Sequence, residues 1–151
     1  SSYATAPYFS VNSFVFQNAA GEKRHVRWTF EPVAGRAVLT PEERQARGAD
    51  FLQDELRGRV SRAPAEWRMM VTLPREGDPL LSATAIWPAD REQVDVGLLR
   101  ITSVAPAGQP GECDPMMFNP TLLPAGIEPS DDPMLNIRAP AYAVSLSRRL
   151  Q

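Results

Sequence analysis

The chain has 151 residues, 43% hydrophobic and 23% charged, with a formal net charge of −2, proportions that suit one globular domain or a large piece of one. That balance gives no field for collecting nucleic acid or an anionic membrane, and no apolar run reaches membrane-spanning length. One cysteine, Cys113, and one histidine, His25, exclude an internal disulfide, a multi-thiolate metal site and a His-rich zinc site.

In chain order, residues 8–16 (YFSVNSFVF) are rich in aromatic and β-branched side chains and read as a strand. Residues 18–21 (NAAG) read as a turn. Residues 25–30 alternate Val26, Trp28 and Phe30 with polar neighbours, so the two runs predict a hairpin with one buried face. Thr40-Pro41-Glu42-Glu43 is a helix start, with Thr as N-cap, Pro at N1 and Glu at N3. A second helix is predicted over residues 49–60, where Phe51, Leu52, Leu56 and Val60 recur at helical spacing. Residues 67–73 and 94–104 read as a third and a fourth strand, joined by a Pro- and Asp-rich connection containing Trp87-Pro88. Nine of the 15 prolines fall between Pro74 and Pro129, and residues 108–129 are expected to be irregular, as an extended arm. Asp132-Pro133 repeats the N-cap and N1 pattern and opens a last helix toward Arg149, with a kink expected at Pro140.

This pattern predicts an α+β fold, mainly β, built on an antiparallel sheet of about four strands. One such sheet leaves unpaired edges, which invite pairing with another segment or chain. The chain therefore reads as part of a larger barrel.

The last helix carries the chemistry. Met134, Arg138, Tyr142, Ser145 and Arg149 fall within an arc of roughly 80° at helical pitch. An aliphatic core face would not hold two cations and a phenol, and a solvated face would mix acids with bases. A flat, anionic, apolar ligand suits the set, and haem has those properties. Tyrosine is a poor metal ligand while protonated, with a reference pKa of about 10. A guanidinium one turn away, at Arg138, favours the phenolate by charge and hydrogen bonding. Arg149, about two turns beyond Tyr142, is placed to pair with a carboxylate. The same Arg–Tyr spacing is also that of a plain packing or cation–π pair.

Other chemistry-bearing residues have structural readings. Glu128, Asp131 and Asp132 suggest a carboxylate metal site, but a helix cap and dipole complement account for them better. Cys113 has no basic neighbour and reads as an inert thiol. Met69, Met70, Met116 and Met117 read as core or arm packing, and Trp28, Trp67 and Trp87 as core anchors. No GxSxG, P-loop or GxGxxG motif is present.

The run from Phe118 to Tyr142, FNPTLLPAGIEPSDDPMLNIRAPAY, resembles without a gap the catalase block F-x-P-x-x-x-P-x-G-I-E-P-S-x-D-x-M-L-x-x-R-x-x-x-Y. Ser13-Phe14 through Asn18-Ala-Ala-Gly21-Glu22, Trp87-Pro88 and Val96-Gly97-Leu98-Leu99 resemble further segments of the same family, so the likeness covers nearly the whole chain. The ending Tyr142-Ala-Val-Ser-Leu-Ser-Arg-Arg149 and the start Tyr3-Ala-Thr-Ala-Pro-Tyr8 are similar to the smaller catalase-related haem peroxidases.

The resemblance implies half of a catalase-type antiparallel β-barrel. Residues 1–106 would form the second half of the barrel with two inserted helices. Residues 107–129 would be a wrapping arm and 130–151 the proximal haem helix, all within one domain. It implies a haem b cofactor with Tyr142 as the axial iron ligand and Arg138 as its hydrogen-bonding partner, the two catalytic residues. It places Arg149 on a propionate and Met134 and Phe118 in the pocket, beside Ser145. NADPH finds no supporting residues. The activity implied is reduction of hydrogen peroxide or an organic hydroperoxide. No R-x-x-H-A-K-G motif occurs, and His25 falls on a surface or barrel-wall position. The distal residues are therefore expected from a missing N-terminal half or a second chain. Two alternatives remain: a haem-free interaction fragment pairing through open β-edges, with a partner or a copy of itself, or a hydroperoxide-rearranging enzyme of the same fold. Neither nucleic acid nor membrane is expected as a partner. A soluble protein of cytoplasm or periplasm is expected, with the compartment open because a removed signal leaves no trace.

Overall fold

The structure, a computed structural model, describes residues 1–109 and 111–150. Six strands and three α-helices follow a short 3₁₀ turn at Tyr3–Thr5: β1 (Tyr8–Phe9), β2 (Phe14–Gln17), β3 (Lys23–Pro32), α1 (Pro41–Gln45), α2 (Phe51–Val60), β4 (Ala65–Thr72), β5 (Gln93–Ile101), β6 (Ile127–Pro129) and α3 (Pro133–Arg149). The strands lie in the order β5-β4-β3-β2-β6, with β1 pairing β3 off that path. The sheet is open, ending on β5 at one side and on β6 at the other. The class is α+β, mainly β, as the sequence predicts.

Two strands more than expected are present, and each has a physical reason. The run expected as one strand over residues 8–16 is interrupted between β1 and β2. Ser10 Oγ accepts from the Trp28 amide at 2.9 Å, and Ser13 Oγ donates to the Leu80 carbonyl at 2.5 Å. Asn12 turns its amide toward Asp132 at 2.9 Å. These side-chain bonds compete with a continuous ladder. The arm is irregular as predicted except at β6, where Pro129 sits in an edge strand, the position a residue without an N–H tolerates.

The chain divides into two compact units. The first comprises Ser1–Tyr8, Thr29–Met70 and Asp95–Asp114. Its core holds Ala4, Ala65 and Trp67, flanked by Phe30, Leu56, Val60 and Ile101. Trp67 is the anchor: its indole N–H donates to the Ala6 carbonyl at 3.1 Å, and the Tyr8 ring meets it edge-on at 6.1 Å. The capping box predicted at Thr40 is formed, with Thr40 Oγ1 accepting from Glu43 N and Glu43 Oε2 from Thr40 N.

The second unit comprises Phe9–Trp28, Val71–Val94 and Pro115–Gln151. Its β2–β3 hairpin pairs Phe14 with Val26 and Gln17 with Lys23, so the predicted hairpin forms. Asn18 closes the turn by accepting from the amides of Ala20 and Glu22, and Gly21 supplies a φ of 82° that side chains resist. On the other side of β2, β6 pairs antiparallel with Phe14 opposite Pro129 and Phe16 opposite Ile127. The connection after β4 is closed by Arg91, whose guanidinium grips both Asp78 carboxylate oxygens at 2.7 and 2.8 Å. Trp87 packs under the Arg27 guanidinium at 4.5 Å.

Truncation of Trp67 to Ala should lower stability by about 3–5 kcal/mol, the range for a buried aromatic, measured as a shift in urea unfolding. Acid provides a second test. The hydrogen bonds from Arg91, then the Arg75 amide, hold Asp78 down to about 2 from its ordinary 3.8. A depressed carboxylate stabilises the fold fully above its unfolded pKa and loses that contribution as pH falls through the folded one. Asp78→Asn should therefore lower stability at neutral pH and flatten the stability profile between about pH 4 and 2, read by thermal melts across that range.

Candidate functional site

The site is built on α3 and on the break between β1 and β2, all within the second unit. The helix starts where it does because Asp132 Oδ1 accepts from the Met134 amide at 3.0 Å and Pro133 presets the first turn. Leu135 is its buried anchor. Arg148 and Arg149 end it, complementing the negative pole of the helix. The helix runs without interruption through Pro140.

Arg138 and Tyr142, four residues apart, meet. Arg138 Nη2 donates to the Tyr142 hydroxyl oxygen at 2.7 Å, and its guanidinium carbon lies 5.3 Å from the phenol ring centre. The other end of the guanidinium turns inward: Nη1 donates to Asn12 Oδ1 at 3.1 Å. Asn12 in turn donates through Nδ2 to Asp132 Oδ2 at 2.9 Å. A single hydrogen-bonded line thus runs Asp132, Asn12, Arg138, Tyr142. Its first two members are buried, at 1% and 2% exposure, while Arg138 and Tyr142 are half-buried. The charge at Asp132 also acts on Arg27, whose pKa is lowered by burial and partly restored by that carboxylate.

The remaining predicted site residues are distributed around this pair. Arg149 Nη2 donates to the Met116 carbonyl of the arm at 3.1 Å. Met134 (54%), Phe118 (63%) and Ser145 are exposed. Exposed Ile137 and Val144 add apolar surface on the same helix. The structure therefore brings Tyr142 and Arg138 together and leaves Met134, Phe118 and Ser145 facing solvent.

Of the carboxylates read as cap and dipole complement, Asp132 caps α3, whereas Glu128 instead pairs with Lys23 at 2.7 Å. No group of three or more His, Cys, Asp or Glu among the described residues is arranged to hold a metal ion. His25 sits half-buried on β3 opposite Val15, its Nδ1 3.4 Å from Ser13 Oγ. It lines a cleft of about 340 Å³ with Lys23 and Glu128. Cys113 is exposed. Met69 and Met70 lie half-buried on β4, whereas Met116 and Met117 are exposed rather than packed. No helix among the described residues is long and apolar enough to cross a membrane.

Sequence reading missed Asn12 as a site residue and saw Asp132 only as a cap. The one available signal for Asn12 was a polar pair, Asn12-Ser13, inside an otherwise strand-like run.

Removing the Asp132 side chain tests the line from its buried end. Asp132→Ala should lose about 0.5–2 kcal/mol for the cap and a further ~1–3 kcal/mol for the orphaned Asn12 amide. Denaturant unfolding beside Asp132→Asn, which keeps a capping oxygen, separates the two.

The family model described as Catalase matches residues 1–151. A catalase-related peroxidase of Synechococcus elongatus is 42% identical over 98% of this chain and 43% of its own length. A catalase-related peroxidase of Mycolicibacterium paratuberculosis is 32% identical over 98% of the chain and 47% of its own. The chain thus spans less than half the length of these relatives. Among solved structures, catalase A of Saccharomyces cerevisiae superimposes with a TM-score of 0.84 at 20% identity, over 99% of this chain and 33% of that one. At that identity the likeness speaks for the fold.

Proposed function

The chain belongs to the catalase family, and on that premise we propose that it forms the proximal, haem-ligating portion of a catalase-related peroxidase. The whole protein would reduce hydrogen peroxide or an organic hydroperoxide. The observation that carries this reading is the 2.7 Å hydrogen bond from Arg138 to the Tyr142 oxygen, at the positions that the family resemblance assigns to the iron ligand and its partner.

The side chains present suit a haem b. The donor set offers one phenol oxygen, already engaged by the Arg138 guanidinium at 2.7 Å. Met134, Ile137 and Phe118 give exposed apolar surface on α3 and the arm, which a flat macrocycle would cover. Tyr142 would hold the iron, and Arg149 would take a propionate, with Met134, Phe118 and Ser145 lining the proximal pocket. A bound haem would supply the redox chemistry at iron. The chain's own residues fix the direction of the phenol oxygen through the Arg138 hydrogen bond.

The proton-handling residues of the distal side are assigned to sequence beyond these 151 residues. β5 supports such a completion. All of its residues but Ile101 are exposed, including Val94, Val96, Leu98 and Leu99, and it lies at the end of the sheet. Such an edge takes a further strand, supplied by the rest of a barrel. In the same reading residues 107–129 act as the wrapping arm and 130–151 as the proximal helix. The open edge also suits the alternative of a haem-free fragment, which the following experiment separates.

Haemin added to the full-length protein should give a tyrosinate-type absorption spectrum, and Tyr142→Phe should abolish it. Peroxidase turnover should fall by orders of magnitude in the same variant. An unchanged spectrum in Tyr142→Phe overturns the assignment of the ligand.

A further inference from the structure

We infer that Trp67 and Tyr8 form a relay that carries an oxidising equivalent from the core of the first unit to its surface. The inference goes beyond the proximal-haem reading, and no step in it needs the haem. Its oxidant is a one-electron oxidant strong enough to oxidise an indole, a class that peroxide chemistry produces.

Trp67 is 3% exposed. Ala4, Ala65, Leu56, Val60 and Ile101 pack around it, and saturated side chains do not give up an electron to such agents. Phe30, in the same cluster, carries an unsubstituted ring that is far harder to oxidise than an indole. The Tyr8 ring differs from all of these. It meets the indole edge-on, with centroids 6.1 Å apart and planes at 64°, so the two π systems touch. Electron exchange across such a contact needs no motion of the chain.

The two rings differ in where their protons can go. The Trp67 indole N–H donates to the Ala6 carbonyl at 3.1 Å. A carbonyl does not remove that proton, so loss of one electron leaves Trp67 as a radical cation sealed from water. Tyr8 is 41% exposed, and its hydroxyl donates to the Tyr3 carbonyl at 3.1 Å. Burial, then the nearby Tyr3 phenol, raise its pKa above the ordinary 10.0, so at neutral pH it stands as an intact phenol. One electron passes from the Tyr8 ring to the Trp67 radical cation, the phenolic O–H bond breaks, and the proton goes to water. The products are neutral Trp67, a Tyr8 phenoxyl radical and one hydronium ion. The transfer runs in that direction because the exposed phenol sheds its proton to solvent and the buried indole does not. A small reductant such as ascorbate then returns one electron, and water one proton, at the exposed ring. The oxidant is thereby quenched at the surface and not within the core.

Laser flash photolysis of the full-length protein, before haemin is added, tests the relay. An ultraviolet pulse ionises tryptophan whether buried or exposed, with nitrous oxide and tert-butanol present to remove the ejected electron. In the parent, the indole-radical absorption should decay as the phenoxyl absorption grows, at a first-order rate independent of protein concentration. Tyr8→Phe keeps the ring contact and removes the oxidisable hydroxyl, and the phase should be lost from its traces. Trp67→Phe should lose the same phase. Thermal melts establish folding, and if Trp67→Phe does not fold, Tyr8→Phe decides. Identical traces for the parent and Tyr8→Phe, or a growth rate that scales with protein concentration, overturn the inference. The haemin spectrum of Tyr142→Phe judges the iron ligand alone and leaves this result untouched.

Discussion

A guanidinium can donate hydrogen bonds in its plane and accept none, and the candidate site is organised around satisfying one such group. Arg138 stands on α3 between a buried amide and a phenol oxygen. Left without an acceptor on its inward side it would be free to swing to solvent, and its contact with Tyr142 would be one rotamer among several. The amide of Asn12 removes that freedom, and the carboxylate of Asp132 removes it from Asn12. Order therefore passes outward, from two side chains sealed from water to one whose oxygen is open for bonding.

This arrangement gives one residue two duties. Asp132 uses one oxygen to begin α3 and the other to anchor the polar line. The start of the helix and the orientation of its functional face are thereby set by the same carboxylate. Most helix caps act only on the first turn. Here the cap's influence reaches Tyr142, ten positions along, through side chains rather than along the backbone.

What the sequence disclosed was the part governed by near neighbours. Arg138 and Tyr142 lie one turn apart, so helical periodicity alone put them on one face. The caps at Thr40 and Asp132 depend on bonds that span two or three residues, and both were readable for the same reason. The hairpin of β2 and β3 followed from alternation and a turn. Asn12 was hidden because its partners lie 120 and 126 residues away, and the polar pair Asn12-Ser13 is all that sets it apart locally from a strand residue. The break in the first strand was hidden with it, since the competing bonds of Ser10, Asn12 and Ser13 exist only once other elements are in place. β6 escaped notice because a three-residue strand ending in proline offers almost no periodicity. The catalase-like fold, by contrast, was legible from the long ungapped block alone.

The pairing of β2 with β6 has an implication for how this segment tolerates change. Phe14 lies opposite Pro129, so two residues back along one strand and three forward along the other bring Asn12 and Asp132 within bonding distance. The spacing on both sides is a ruler. A single inserted or deleted residue between positions 12 and 14, or between 129 and 132, would displace one end of that bond by about 3.3 Å, the rise of a strand residue, more than a hydrogen bond can stretch. Length variation in such proteins should therefore accumulate in the connection between β4 and β5 or early in the arm, and be purged from these two short stretches even where individual side chains are free to differ.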